Sequence, residues 1–270
     1  MAQHGAIFSI PHKISPTGLD TLHLPDTERG FKRWFRPNSS PQITTLLTTQ
    51  DFRQSVKKWS ERTSTSPSGR HLGHYHAQIL PQLPSETEDL STHFINIHVT
   101  LLNLATQRNI IFPRWRQVNT ICLPKDTGLP RIHRLRPLNL YEADLNLLLR
   151  VILARRLLWK IEDHQELPDE AWGNRKLRAS GDVGLQKVIT FELGALTRQP
   201  LGQIDLDAKS CYDRIIRPVG MLACYKFGLP LSMCCWVSQV LEQQEHHLVT
   251  INGRSTAGYT STERHRLCLL

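Results

Sequence analysis

The sequence predicts an α+β fold, and three observations lead there. Apolar residues recur at helical spacing over 90–105 and crowd 143–161. Short strand-like runs stand at 118–123, 135–140 and 247–251. Turn residues mark the boundaries, most clearly Asn252-Gly253, where both residues tolerate positive φ and so predict a hairpin.

Each element has its own warrant. Residues 1–60 are mixed and rich in Pro, Thr and Ser, and read as an extension with one helix around 51–59. Residues 63–69 form a small-residue turn region. Ser85-Glu86-Thr87-Glu88 fits a capping box, in which hydroxyl and carboxylate each satisfy a free amide. The helix it opens carries Leu90, Phe94, Ile97, Leu101 and Ala105, a stripe expected to face the core. Pro113 breaks that pattern, and 118–123 then reads as a strand. A loop over 124–134 holds Gly128 and Pro130, and 135–140 returns as a second strand. The helix over 143–161 is apolar on most sides and is expected to be buried on most sides. Residues 172–181 are polar and turn-like, and a helix over 182–196 follows. Pro218 and Pro230 each stand where a helix begins, and Gly228 stands where the first of those stops.

Composition bounds the function. A chain of 270 residues is one large domain or two small ones. At this size roughly 70–75% of the unfolded surface is buried without help from disulfides. Hydrophobic residues at 40% and charged residues at 21% argue against wholesale disorder. The start lacks a basic end followed by a long apolar run, so no secretory signal is expected. The apolar stretch 145–158 is interrupted by Arg150, Arg155 and Arg156 and is not expected to span a bilayer. An intracellular chain with no membrane partner and reduced thiols is the resulting expectation. None of the six cysteines forms C-x-x-C, which argues against a zinc knuckle, and adjacent Cys234 and Cys235 read as small core residues.

Charge sharpens the picture. Lys and Arg number 33 against 24 Asp and Glu, a net charge of +9. Within 108–160 there are eleven Lys or Arg and three Asp or Glu, so nearly the whole excess sits in about a fifth of the chain. Such a block favours a polyanionic partner, with a solvated basic face as the plain alternative. Arg150, Arg155 and Arg156 either contact nucleic-acid phosphates or serve the fold, by capping a helix end or covering apolar surface with their stems. His71, His74 and His76 read as a polar turn, since no Cys or carboxylate follows at ligand spacing.

The segment 202–208 alternates polar and apolar residues, so on a strand Asp205 and Asp207 share one side and Ile204 and Leu206 the other. Carboxylates there suit Mg²⁺, which takes oxygen ligands together with substrate phosphates. Two cations stand upstream, Lys125 at the mouth of a turn and Arg136 at the start of the returning strand. A hairpin brings them together, and fixed cations facing a metal-holding carboxylate suit triphosphate transfer.

Pro124-Lys125, then Arg136-Pro137-Leu138, then 207–215 (Asp-Ala-Lys-Ser-Cys-Tyr-Asp-Arg-Ile) together resemble the reverse transcriptase domain of retrotransposons, in particular the non-LTR kind. Residues 66–75 stand where such enzymes carry a Gly-rich motif, and the stretch from Gly173 through Arg178 to Asp182 is similar to a further family segment. The resemblance spans about 64–259. It implies a right-hand polymerase fold fragment, with an N-terminal extension over 1–60, mostly helical fingers with a β-hairpin over 61–200, and a truncated palm with an incomplete sheet over 201–270.

The roles that follow are those the resemblance implies. Asp207 matches the catalytic, metal-binding carboxylate, with Mg²⁺ or Mn²⁺ as cofactor. Tyr212 matches the aromatic residue under the incoming sugar, and Lys125 and Arg136 match the residues that grip the dNTP triphosphate. Partners are an RNA or DNA template-primer and dNTP. Asp205 and Asp213 flank the motif without a metal role. The sequence departs from the family where a Tyr-x-Asp-Asp pair belongs, running instead through 249–255 to an unmatched 263–270. The expectation is therefore a template-primed, two-metal nucleotidyl transferase by descent, truncated and inactive as an isolated fragment. The alternative is a non-catalytic nucleic-acid-binding remnant.

Overall fold

The computed structural model describes residues 41–59, 66–79, 90–125, 135–167, 173, 175, 177–198, 200 and 215–260. These build a mixed α/β arrangement, helices around a small mixed sheet. Helix α1 (Thr49–Val56) begins with a capping box. Asp51 N–H donates to Thr48 Oγ1 at 3.1 Å, and Thr48 N–H donates back to Asp51 Oδ2 at 2.9 Å. Such reciprocal satisfaction stabilises a helix start by about 1 kcal/mol. The capping box read at 85–88 lies outside the described residues.

The short helix α2 (Gly73–Ala77) precedes α3 (Leu90–Gln107), whose facing corrects the sequence reading. Ser91, Ile95, Val99, Leu102 and Ala105 face the core, whereas Leu90, Phe94, Ile97 and Leu101 are each about half exposed. Of the predicted stripe only Ala105 faces inward. The physical reason lies in composition: α3 has no Asp, Glu, Lys or Arg to label its outer side. Two apolar stripes run along it, and periodicity alone does not choose between them.

A 3₁₀ turn (Pro113–Arg116) leads into β1 (Gln117–Pro124), and β2 (Leu135–Leu140) returns antiparallel to it. Then comes one long helical run: α4 (Ala143–Leu149), a π-helical stretch (Arg150–Leu157) and α5 (Leu158–Asp163). Its buried residues Leu145, Leu147, Leu148, Val151 and Ile152 face the core, whereas Asn146, Arg150, Ala154 and Trp159 are exposed, so the run is buried on one broad side rather than on most sides, its polar and charged residues marking the other. Each fully buried side chain of this kind stabilises the fold by about 1.5–3 kcal/mol.

Helix α6 (Ser180–Thr197) differs. Among its residues only Gly194 is buried, and Leu185, Val188, Ile189, Leu193 and Leu196 are open to solvent. Helix α7 (Arg217–Lys226) ends at Gly228, whose φ of +98° lets the chain reverse. Pro230 caps α8 (Leu231–Glu242), so both prolines stand at helix starts as read. Strand β3 (Glu245–Thr250) turns through Gly253 at φ +114° into β4 (Gly253–Arg254), the expected Asn-Gly hairpin. Strand β5 (Tyr259–Thr260) pairs with the beginning of β3.

The sheet order is β2-β1-β3-β4, with β3 parallel to β1. This pairing joins residues far apart in the chain. A parallel neighbour needs a long crossover, and here 120 residues separate Pro124 from Glu245. The hydrophobic core likewise gathers Leu47, Phe52 and Val56 with Ile95, Trp115, Leu145, Ile152, Met233 and Trp236. Trp115 and Trp236 meet edge to face at 5.7 Å in its middle. Trp159, by contrast, is largely exposed.

Candidate nucleic-acid interface

The β1–β2 hairpin fixes the two cations singled out in the sequence. Cross-strand pairing sets Arg136 opposite Leu123, and Lys125 follows two residues after Leu123. Both side chains are exposed, at the same end of the hairpin. Antiparallel register explains the proximity: eleven residues of sequence separation collapse to neighbouring strands and a two-residue offset along the ribbon. Asp207 and Tyr212, with the flanking Asp205 and Asp213, lie outside the described residues. Among the described residues no group of three or more His, Cys, Asp or Glu is placed to hold a metal ion.

The three arginines of the long helix divide. Arg150 is exposed. Arg155 and Arg156 turn to α1. Arg156 Nη2 donates to Asp51 Oδ2 at 2.6 Å, and Nη1 donates to the Thr44 and Leu46 carbonyls at 2.9 and 2.7 Å. Arg155 Nη1 lies 3.5 Å from Asp51 Oδ1, and its Nη2 donates to Ser55 Oγ at 3.4 Å. These contacts tie the long helix to α1 and to the 44–46 backbone. Burial pushes the Asp51 carboxyl up, but the Thr48 hydrogen bonds and the two guanidinium charges outweigh it and hold the group below the usual carboxylate range.

Two carboxylates that sequence reasoning passed over anchor this region. Glu142 and Asp144 are almost fully buried at the start of α4. Glu142 accepts from the Ser68 amide at 2.7 Å and from the Ser68 hydroxyl at 3.0 Å. Ser66 Oγ accepts from the Ala143 amide at 3.0 Å. Asp144 accepts from Trp115 Nε1 at 2.9 Å and pairs with Arg114. The 66–70 turn, the 3₁₀ turn before β1 and the helix after β2 are thereby tied at one point. Buried polar groups need hydrogen-bond partners, which Ser68 supplies to Glu142, and Trp115 with Arg114 to Asp144. The available signal was two acids within three residues at the head of the most apolar segment. His74 and His76 lie on α2, and His71 Nδ1 accepts from the Gly73 amide at 3.0 Å.

Of the adjacent pair read as core residues, Cys234 is buried and Cys235 half-buried. Burial together with the neighbouring Cys224 and Cys235 thiols pushes the Cys234 pKa up to about 12. Cys122 is exposed on β1. Among the described residues, no helix is long and apolar enough to cross a membrane. Neither a model of a known protein family nor a curated protein sequence matches the chain.

Proposed function

We propose that this chain is a reverse-transcriptase-type fingers and early palm, binding nucleoside triphosphate through the cations of its β1–β2 hairpin. One observation carries the reading: the register sets Arg136 opposite Leu123 and leaves Lys125 just beyond, so two exposed cations share one hairpin end. A triphosphate is a compact polyanion, and a bidentate guanidinium beside an ammonium suits its oxygens. Residues 66–70, on Glu142, and 113–116, on Asp144, brace the strands that carry the cations. In this reading Asp207 supplies the metal-binding carboxylate and Tyr212 the contact under the sugar. A divalent metal, when bound, would neutralise triphosphate charge, and the chain's own part is to position the anion.

The test is equilibrium binding of a fluorescent dNTP with and without Mg²⁺. Arg136→Ala should weaken binding about ten-fold, the loss of one charge-assisted contact worth about 1.5 kcal/mol. Lys125→Ala should act in the same direction. Asp207→Ala should remove the Mg²⁺ dependence while leaving metal-free binding in place. Triphosphate binding indifferent to Lys125 and Arg136 would refute the reading.

A further inference from the structure

Helix α3 turns an apolar stripe away from its own core. Leu90, Phe94, Ile97, Leu101 and Leu104 recur at alternating steps of four and three residues, and each is between 40% and 54% exposed. Such a repeat, averaging 3.5 residues, is the seam by which one helix packs along another. The opposite side is occupied by the fold. Ile95, Val99, Leu102 and Ala105 are buried there. Arg53 Nη2 donates to Thr92 Oγ1 at 2.9 Å, and Asn103 Nδ2 donates to the Leu47 carbonyl at 2.9 Å.

Two properties of the stripe select what covers it. It is uncharged, because α3 contains no Asp, Glu, Lys or Arg, so it calls for an uncharged surface like itself. It is also symmetric about its middle. Let a second α3 lie antiparallel, with Ile97 on a two-fold axis. Leu90 then meets Leu104 of the second copy, Phe94 meets Leu101, and Ile97 meets its own twin. A two-fold contact demands this self-matching, since a pairing made in one direction is made again in the other. The open stripe of α6 fails the same test. Leu185, Ile189, Glu192 and Leu196 repeat the four-three step and are exposed, but antiparallel pairing sets Ile189 against Glu192.

We infer that α3 is a homodimer contact, formed as an antiparallel pair of α3 helices from two copies of this chain. From Leu90 to Leu104 the seam runs about 21 Å, at 1.5 Å per residue, and is about 10 Å wide. That footprint is well below the roughly 800 Å² per partner of a stable complex, so the dimer exchanges with monomer. The net charge of +9 on each copy opposes association, and salt screens that repulsion. The contact needs no metal, nucleotide or nucleic acid, and is independent of the function proposed above.

The experiment is sedimentation equilibrium of the nuclease-treated full chain from about 1 to about 200 µM, the range of a transient complex. The apparent mass should rise from that of one chain to that of two, and more completely at high KCl than at low. Ile97→Glu sets two carboxylates against each other on the axis and should weaken the dimer at least about ten-fold. Circular dichroism of the dilute variant should match the native chain. Phe94→Lys and Leu101→Glu should each weaken the dimer, and an equimolar mixture of the two should restore it, because opposite charges then face each other. Ile189→Glu on α6 should leave the dimer intact. The proposal falls if the native chain stays monomeric throughout, if its mass climbs past two copies, or if association weakens as KCl rises. It also falls if I97E associates as the native chain does, or if the mixture is no tighter than its parts. Loss of the dimer in I189E with I97E unaffected would move the contact to α6 and overturn it as well.

Discussion

Arg156 reaches back 105 positions to Asp51, with Nη2 2.6 Å from Oδ2. The same carboxylate accepts from the Thr48 amide at the start of α1 and faces Arg155. One acidic side chain therefore starts a helix and holds the basic pair of another. Asp51→Ala should lower stability by about 1–2 kcal/mol, combining half of the capping box with two guanidinia that lose their carboxylate. Thermal melts of the variant read the effect, and an unchanged melting temperature would contradict it.

The pH dependence of that contact has a definite sign. The folded-state pKa of Asp51 is depressed. Its contribution is therefore fully present above the ordinary Asp value of about 3.9 and fades as pH falls below it. Denaturant melts between pH 6 and 3 should show the native chain losing more stability than Asp51→Asn. Parallel curves would count against the assignment.

Asp144 makes a stronger prediction, because it is buried. Asp144→Ala strips Trp115 Nε1 of its acceptor and leaves Arg114 without its carboxylate. A cost of about 2–3 kcal/mol is expected, tempered by the partial exposure of Arg114. A change in tryptophan emission should accompany it, since Trp115 packs on Trp236. Chemical denaturation followed by fluorescence measures both.

Thiol chemistry separates the cysteines. Cys122 is exposed and should react quickly with a maleimide at neutral pH. Cys234, with its pKa pushed to about 12 by burial, should stay protonated and unmodified until the chain unfolds. Peptide mapping after brief labelling distinguishes them, and early modification of Cys234 would show the α7–α8 packing to be wrong.

The two faces of α3 give a paired test. Ile95→Ala should cost about 2–4 kcal/mol, as deletion from a filled core does, because Ile95 is fully buried. Ile97→Ala, two residues on and half exposed, should cost well under half of that. Comparable losses at both positions would restore the facing that the sequence suggests.

Residue order alone was enough for the local elements. Pro218 and Pro230 fix helix starts because a ring-locked φ suits the first turn, and Asn252-Gly253 fixes a hairpin because both tolerate positive φ. The apolar run after Glu142 announces a buried helix, and the strand pair 118–123 with 135–140 announces the ribbon that joins Lys125 to Arg136. These follow from forces acting within a few residues. Packing supplied everything that depends on a distant neighbour. The outer face of α3 carries no charge, so only the core could select Ile95 over Ile97. Arg155 and Arg156 read equally well as phosphate ligands or as residues of the fold, and only the folded chain sets Asp51 between them. The parallel seat of β3 beside β1 has no local signature, because a hydrogen-bonded ladder between strands 120 residues apart exists only in the folded chain.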